Sequence, residues 1–126
     1  MVILVDDEDR ENEGDLIFAA WSGEEVGLLG SSHYLRALDP PSPHADPAAR
    51  EISAYLNLDM VGRAGAGALT ILGAGTSPSF AGWMDGAGAA SGLELAVSLS
   101  GQGIGGSDHQ SFLRRAIPAL HLFSGL

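Results

Sequence analysis

The chain has 126 residues, 45% of them apolar, with 18 glycines and no cysteine; this length suits one compact domain that buries roughly two-thirds of its unfolded surface. Six arginines, no lysine and sixteen acids give a formal charge of −10, and no run of basic residues offers phosphates a surface, which argues against a nucleic-acid partner. Without cysteine there is no disulfide framework and no thiolate metal site, so any zinc here needs His and carboxylate ligands.

Taken in chain order, Val2–Val5 and Leu16–Ala20 are short apolar runs that predict two neighbouring strands, an N-terminal β-hairpin. The connection Asp6–Asp15 holds seven of the sixteen acids, a local cluster that suggests a cation or a cationic substrate. Next comes WSGEEVGLLGSSHYLRAL, where Leu28, Leu35 and Leu38 share a helical face and Asp39-Pro40-Pro41 stops the helix. The four prolines between Pro40 and Pro47 predict a surface loop.

In EISAYLNLDM the residues Ile52, Ala54, Leu56 and Leu58 alternate with Ser53, Tyr55, Asn57 and Asp59, the period of a strand that leaves Asp59 at its C-terminal end on the polar side. A turn over Gly62–Gly67, a strand over Ala68–Leu72, an Ala/Gly-rich helix over Pro78–Ser91 and a strand over Leu93–Leu99 follow. The glycines of GQGIGG lead into SDHQSFLRRA, a helix start, and IPALHLF closes as a buried apolar strand. The alternation predicts an α/β layered fold in a single domain, a mixed, mostly parallel sheet flanked by helices.

Glu24 and Glu25 fall in the predicted first turn of a helix directly after a strand, where an open α/β sheet presents functional groups; Ser22-Gly23-Glu24-Glu25 is equally a capping box. Asp59 either faces a ligand or caps the following turn through backbone amides. His109 is placed as the second residue of a helix, and Ser107–Gln110 is again a capping box. Together, the carboxylate, the aspartate and the histidine converge at one edge of one sheet. Three N/O ligands with an open position are what a catalytic zinc requires, and Glu24 beside such a metal is placed to pass a proton from water to a leaving amine. Gly101-x-Gly103-x-x-Gly106 matches a dinucleotide fingerprint in form, yet only twenty residues follow it, too few for the second strand and its ribose-binding acid. His33, His44 and His121 receive no role: they fall on a helix face, in a Pro-rich loop and in a buried strand.

The segments WSGEEVGLLGSSHYL, NLDMVGR and GSDHQSFLRRAIPALHLFSG closely resemble, in this order, the M28 family of zinc aminopeptidases over about residues 16–126. The resemblance implies a three-layer, zinc-exopeptidase-like sheet and a site of one or two zinc ions. By motif, Glu24 looks like the general base, Glu25 and His109 like ligands of one zinc, and Asp59 like a ligand of the second. The family also carries an upstream His-x-Asp ligand element and a bridging aspartate that have no counterpart here, and it continues beyond Phe-Ser-Gly. The expectation is therefore a truncated fragment with weak activity or none.

The first residues, MVILVDDEDRENEGDLIFAA, closely resemble the start of 3,4-dihydroxy-2-butanone 4-phosphate synthase. That resemblance implies Glu11 as a magnesium ligand and Arg10 and Asp15 as substrate or catalytic groups, with residues 1–15 as the synthase-like segment. The two resemblances meet at LIFAA, which suggests a chimera that reuses a shared strand. Three functions follow: a fragment of a zinc aminopeptidase, a non-catalytic chimeric fold, and a magnesium-dependent synthase-like segment. A peptide substrate if active, no membrane partner and a tendency to self-associate are expected. MVILV is too short for a signal-peptide core and no apolar run approaches the ~20 residues of a membrane span, so the chain is expected to be cytoplasmic as written.

Overall fold

The computed structural model describes residues 2–5, 15–38, 52–63, 68–92, 94–97 and 106–124. The acidic connection with Arg10 and Glu11, the Pro-rich loop with His44, and Gly101 and Gly103 lie outside the described residues. No helix among the described residues is long and apolar enough to cross a membrane.

Among the described residues there are six strands and three α-helices: β1 (Val2–Val5), β2 (Asp15–Phe18), α1 (Leu29–Ala37), β3 (Ile52–Leu58), β4 (Ala68–Leu72), α2 (Ser79–Ser91), β5 (Glu94–Val97), α3 (His109–Leu113) and β6 (Ala119–Phe123). They form one mixed sheet in the order β2-β1-β3-β6-β4-β5, and β1 and β2 make the expected antiparallel hairpin. The sheet is less parallel than expected. β3–β6 and β4–β5 are parallel, whereas β1–β2, β1–β3 and β4–β6 are antiparallel. The cause is the hairpin, which enters the sheet antiparallel, and the reversed direction of β4 against β6.

Successive residues of a strand face opposite sides of a sheet, and both sides of β3 are covered. Ala54 packs with Ile71, Ala74, Phe80, Met84 and Leu120 on the side of α2. Tyr55 packs with Leu35, Phe112 and Ala119 under α1 and α3, its ring stacked on Phe112 at 3.7 Å. The expected polar face of β3 is thus a second buried face: Tyr55 and Asn57 are 0% and 2% exposed.

The Ala/Gly-rich α2 forms despite glycines that each cost about 1 kcal/mol relative to alanine in a helix interior. Phe80 and Met84 are buried from it, and each such burial contributes about 1.5–3 kcal/mol, enough to outweigh that cost. Gly92, at φ 67°, ends the helix and donates its amide to Gly88 O, a left-handed cap that glycine adopts without a Cβ penalty.

Candidate functional site

The segment after β2 does not enter a helix at Glu24. Gly23, Gly27 and Leu28 all take positive φ, and the chain folds back on itself: Gly27 N and Leu28 N donate to Glu24 O, and Leu29 N donates to Gly23 O. Helix α1 begins only at Leu29, and its N-cap, Leu28, makes no side-chain capping bond. The sequence expectation of Glu24 and Glu25 in a first helical turn is corrected on this point. The physical reason is the left-handed Leu28, which is incompatible with a continuous helix from Ser22. A capping role for the two carboxylates goes with it.

The second capping box is also replaced. α3 starts at His109 itself, and its N-cap is Asp108 rather than Ser107, again without a side-chain cap. The Ser107 hydroxyl instead accepts a hydrogen bond from Asn57 Nδ2 at 2.8 Å. Asp59 follows the last residue of β3, and its amide donates to Leu122 O of β6 at 3.2 Å, so strand pairing holds it at the sheet edge.

Glu24 and Glu25 lie in the connection between β2 and α1, Asp59 just past the end of β3 and His109 at the start of α3, and the Asp59 carboxylate acts on both Glu24 and His109. Desolvation, then the carboxylates of Glu25, Asp59 and Asp108, push the Glu24 carboxyl above its ordinary value. His109 is 1% exposed; burial first and the His121 ring second push it down to about 4, against an opposing pull from Asp59. It is therefore neutral at pH 7, the form in which imidazole binds metals. Its Nδ1 and the neighbouring Asp108 Oδ1 are buried without a hydrogen-bond partner, a state rare enough in folded proteins to require an explanation. Glu25 is exposed, and Glu24 and Asp59 are half-buried.

The donors fit zinc in kind: a neutral imidazole with an unpartnered nitrogen and a glutamate, Glu24, whose carboxyl is raised by burial and by its carboxylate neighbours. Among the described residues, however, no three His, Asp or Glu side chains converge closely enough to hold a metal ion. Carboxylates crowded at one edge repel, and a cation between them is what would draw them into one shell.

Three residues of the site were not singled out in the sequence. Asp108 is 5% exposed beside His109. His121, assigned no role, is buried, and its ring stacks on His109 with centroids 4.5 Å apart. Asn57 lies within 2.9 Å of His121 Nδ1. The available signal was parity: Asn57 and Asp59 share a face of β3, and the parallel register sets Asn57 opposite His121. His33 is exposed on α1.

Comparison with known proteins agrees with this architecture. The profile of peptidase family M28 matches residues 2–125, a span that includes the N-terminal hairpin. Leupeptin-inactivating enzyme 1 of Streptomyces exfoliatus is 36% identical over 111 residues, 87% of this chain and 23% of that protein. Leucine aminopeptidase 2 of Trichophyton rubrum is 32% identical over 86% of this chain and 22% of its own length. Among solved structures, a zinc aminopeptidase from Bacillus subtilis superposes with a TM-score of 0.62 at 30% identity, covering 84% of this chain and 25% of that one. The chain thus spans about a quarter of the length of its relatives. With the profile matched almost from end to end and the α/β sheet shared with a zinc aminopeptidase, the chain belongs to peptidase family M28.

Proposed function

We propose that this chain carries part of a zinc aminopeptidase site, with Glu24 as general base, Glu25 and His109 as ligands of one zinc and Asp59 as a ligand of a second. The observation that carries the reading is His109: buried, neutral and with an unpartnered ring nitrogen, at an edge shared with Asp59 and the two glutamates. A zinc ion bound there would supply Lewis acidity towards a peptide carbonyl and towards water. Glu24, whose carboxyl is held above its ordinary value, is suited to accept a proton from water and return it to the departing amine. The substrate is the N-terminal peptide bond of a peptide, as the names of the relatives indicate for those proteins.

The experiment is calorimetric zinc titration of metal-stripped protein, with His109→Ala and Glu25→Ala alongside. Stoichiometric binding weakened in both variants supports the reading. Absence of binding, or binding indifferent to both changes, overturns it. A second reading, an M28 fold without catalysis, is favoured by one observation: no three donors among the described residues stand close enough to form a metal site. It predicts that zinc leaves the melting temperature unchanged. The magnesium-dependent alternative for residues 1–15 rests on their motif alone. Self-association has a structural counterpart in the edge strand β2, where Leu16 and Phe18 are exposed; Phe18→Ser is expected to lower the sedimentation-average mass at high concentration.

A further inference from the structure

β2 and β3 are not neighbours: β1 lies between them and pairs antiparallel with both. The two strands therefore run in the same direction and release their following segments, Glu24 on one and Asp59 on the other, at one edge of the sheet. The ladder stops short of both carboxyls, because its last described pairs at that edge join Val2 to Phe18 and to Leu56. Beyond them β3 is held to β6 through the Asp59 amide, while the segment after Phe18 leaves the sheet. Trp21 spans the gap. Its Nε1, which can only donate, donates to the Tyr55 hydroxyl of β3 at 3.0 Å. Its ring lies 5.0 Å from Tyr34 of α1 and 6.4 Å from Phe112 of α3, and Phe112 stacks on Tyr55. The next three residues are fastened to the head of α1: Gly30 N donates to Ser22 O, Leu29 N to Gly23 O, and Gly27 N and Leu28 N to Glu24 O. The approach is so close that a Cβ on Gly30 would stand 2.8 Å from the Ser22 backbone. Trp21 to Glu24 is thus one piece with the head of α1. On the other side Tyr55 is fully buried and donates its own proton to Asn57 Oδ1 at 3.1 Å, which leaves its oxygen as the acceptor of the indole.

We propose that Trp21 and Tyr55 are positioning residues: their hydrogen bond, reaching past β1, sets the distance between the Glu24 arm and the Asp59 arm of the site. The inference rests on the reading of Glu24 as the general base. Burial, then Glu25 and then Asp59 push the Glu24 carboxyl up, so the spacing of the arms bears on the group that is to take the proton. A general base must stand within hydrogen-bond reach of that proton, and misplacing it by about 1 Å costs up to about 100-fold in rate.

The test uses the full chain, which has two tryptophans and no cysteine. In the wild-type protein the Trp21 indole N–H should exchange with solvent far more slowly than that of Trp83, which is 44% exposed on α2; equally fast exchange overturns the proposal whether or not any variant folds. Val26→Cys and Met60→Cys, both at exposed positions close in sequence to the two carboxyls, carry nitroxide labels whose separation EPR reads as a distance distribution. Trp21→Phe and Tyr55→Phe each remove one side of the bond and keep a ring. Each should broaden or displace that distribution, and the double replacement should do no more than either alone. Phe80→Leu, on the opposite face of the sheet, should lower the melting temperature and leave the distribution as it was. A distribution unmoved by Trp21→Phe and Tyr55→Phe, or moved as much by Phe80→Leu, overturns the proposal. The base reading is tested separately, with leucine 4-nitroanilide and zinc-supplied protein. Cleavage that survives Glu24→Gln, or no cleavage by the wild type, sinks that reading and leaves the positioning claim to be decided by the distances. Where the wild type cleaves, Trp21→Phe should lower kcat about 10- to 100-fold with KM within about twofold; an unchanged kcat overturns the proposal.

Discussion

The two faces of the sheet are built from different materials. On the α2 side the buried residues are Ala54, Ile71, Ala74, Phe80, Met84 and Leu120, hydrocarbon throughout apart from the methionine sulfur. The α1/α3 side carries every buried polar or charged residue among those described: Ser31, Asn57, Ser107, Asp108, His109, Ser111 and His121. Apolar packing is non-directional and tolerates any partner of the right volume, whereas a buried polar group is stable only with its partner in place. One face therefore supplies stability, and the other holds specific atoms in specific places.

The largest effect should come from the hydrocarbon face. Phe80 is fully buried, and Phe80→Ala is expected to cost about 3–5 kcal/mol in urea unfolding while leaving zinc affinity of the folded fraction unchanged. A shift in zinc affinity would mean that the two faces are coupled and the contrast fails.

Acid should act through the polar face. His109 titrates at about 4 rather than at its ordinary 6.5, so between those values the unfolded chain binds a proton that the folded chain does not. Stability is then present above pH 6.5 and is lost as pH falls towards 4, by roughly 3 kcal/mol for a shift of this size. His121, also pushed down by burial, adds in the same direction. Glu24, with its raised carboxyl, works in the opposite sense just above its ordinary value. Stability measured from pH 7 to 4 should fall, and in His109→Phe the fall should be much smaller. An equal slope in both proteins would show that the unpartnered imidazole is not its source.

The same His109→Phe exchange separates stability from binding at neutral pH. It keeps a flat ring against His121 and removes a buried nitrogen without a partner, so metal-free stability should stay within about 1 kcal/mol of wild type or rise. Zinc binding should be lost. A large destabilisation instead would give the imidazole a structural role.

The hydrocarbon face was legible in the sequence because its pattern is local. Ala54 and Leu56 of β3 and the spacing of Phe80 and Met84 declare which side they bury, and the mixed sheet with its hairpin followed. The polar face was legible only at its chemically marked residues, Glu24, Glu25, Asp59 and His109. Tyr55 and Asn57 looked solvent-facing because their alternation is the same whether α1 and α3 cover them or water does. His121 looked like filler because its partner, Asn57, is 64 residues away and only strand pairing sets the register between them. The two capping boxes misled for a related reason: a motif of four residues does not report Leu28 in the left-handed region or Ser107 engaged by Asn57.

The smallest effect tests whether the polar face orients its helices or merely glues them. Ser31 Oγ on α1 donates to Ser111 Oγ on α3 at 2.9 Å, and Ser32 Oγ lies 3.0 Å from the same oxygen. Ser31 also reaches Leu28 O and Ser111 also has Ser32, so neither single replacement strands the other hydroxyl completely. Ser31→Ala and Ser111→Ala should each cost about 0.5–1.5 kcal/mol, and the double replacement should cost less than their sum, because the second change removes a group already deprived of its partner. If these bonds fix the approach of α3 to α1, and with it the start of α3 at His109, zinc affinity in the double variant should fall by more than its stability loss accounts for. Additive stability losses with zinc affinity unchanged would make the serines plain contacts, and would leave Asn57 as the tie between the polar face and the site.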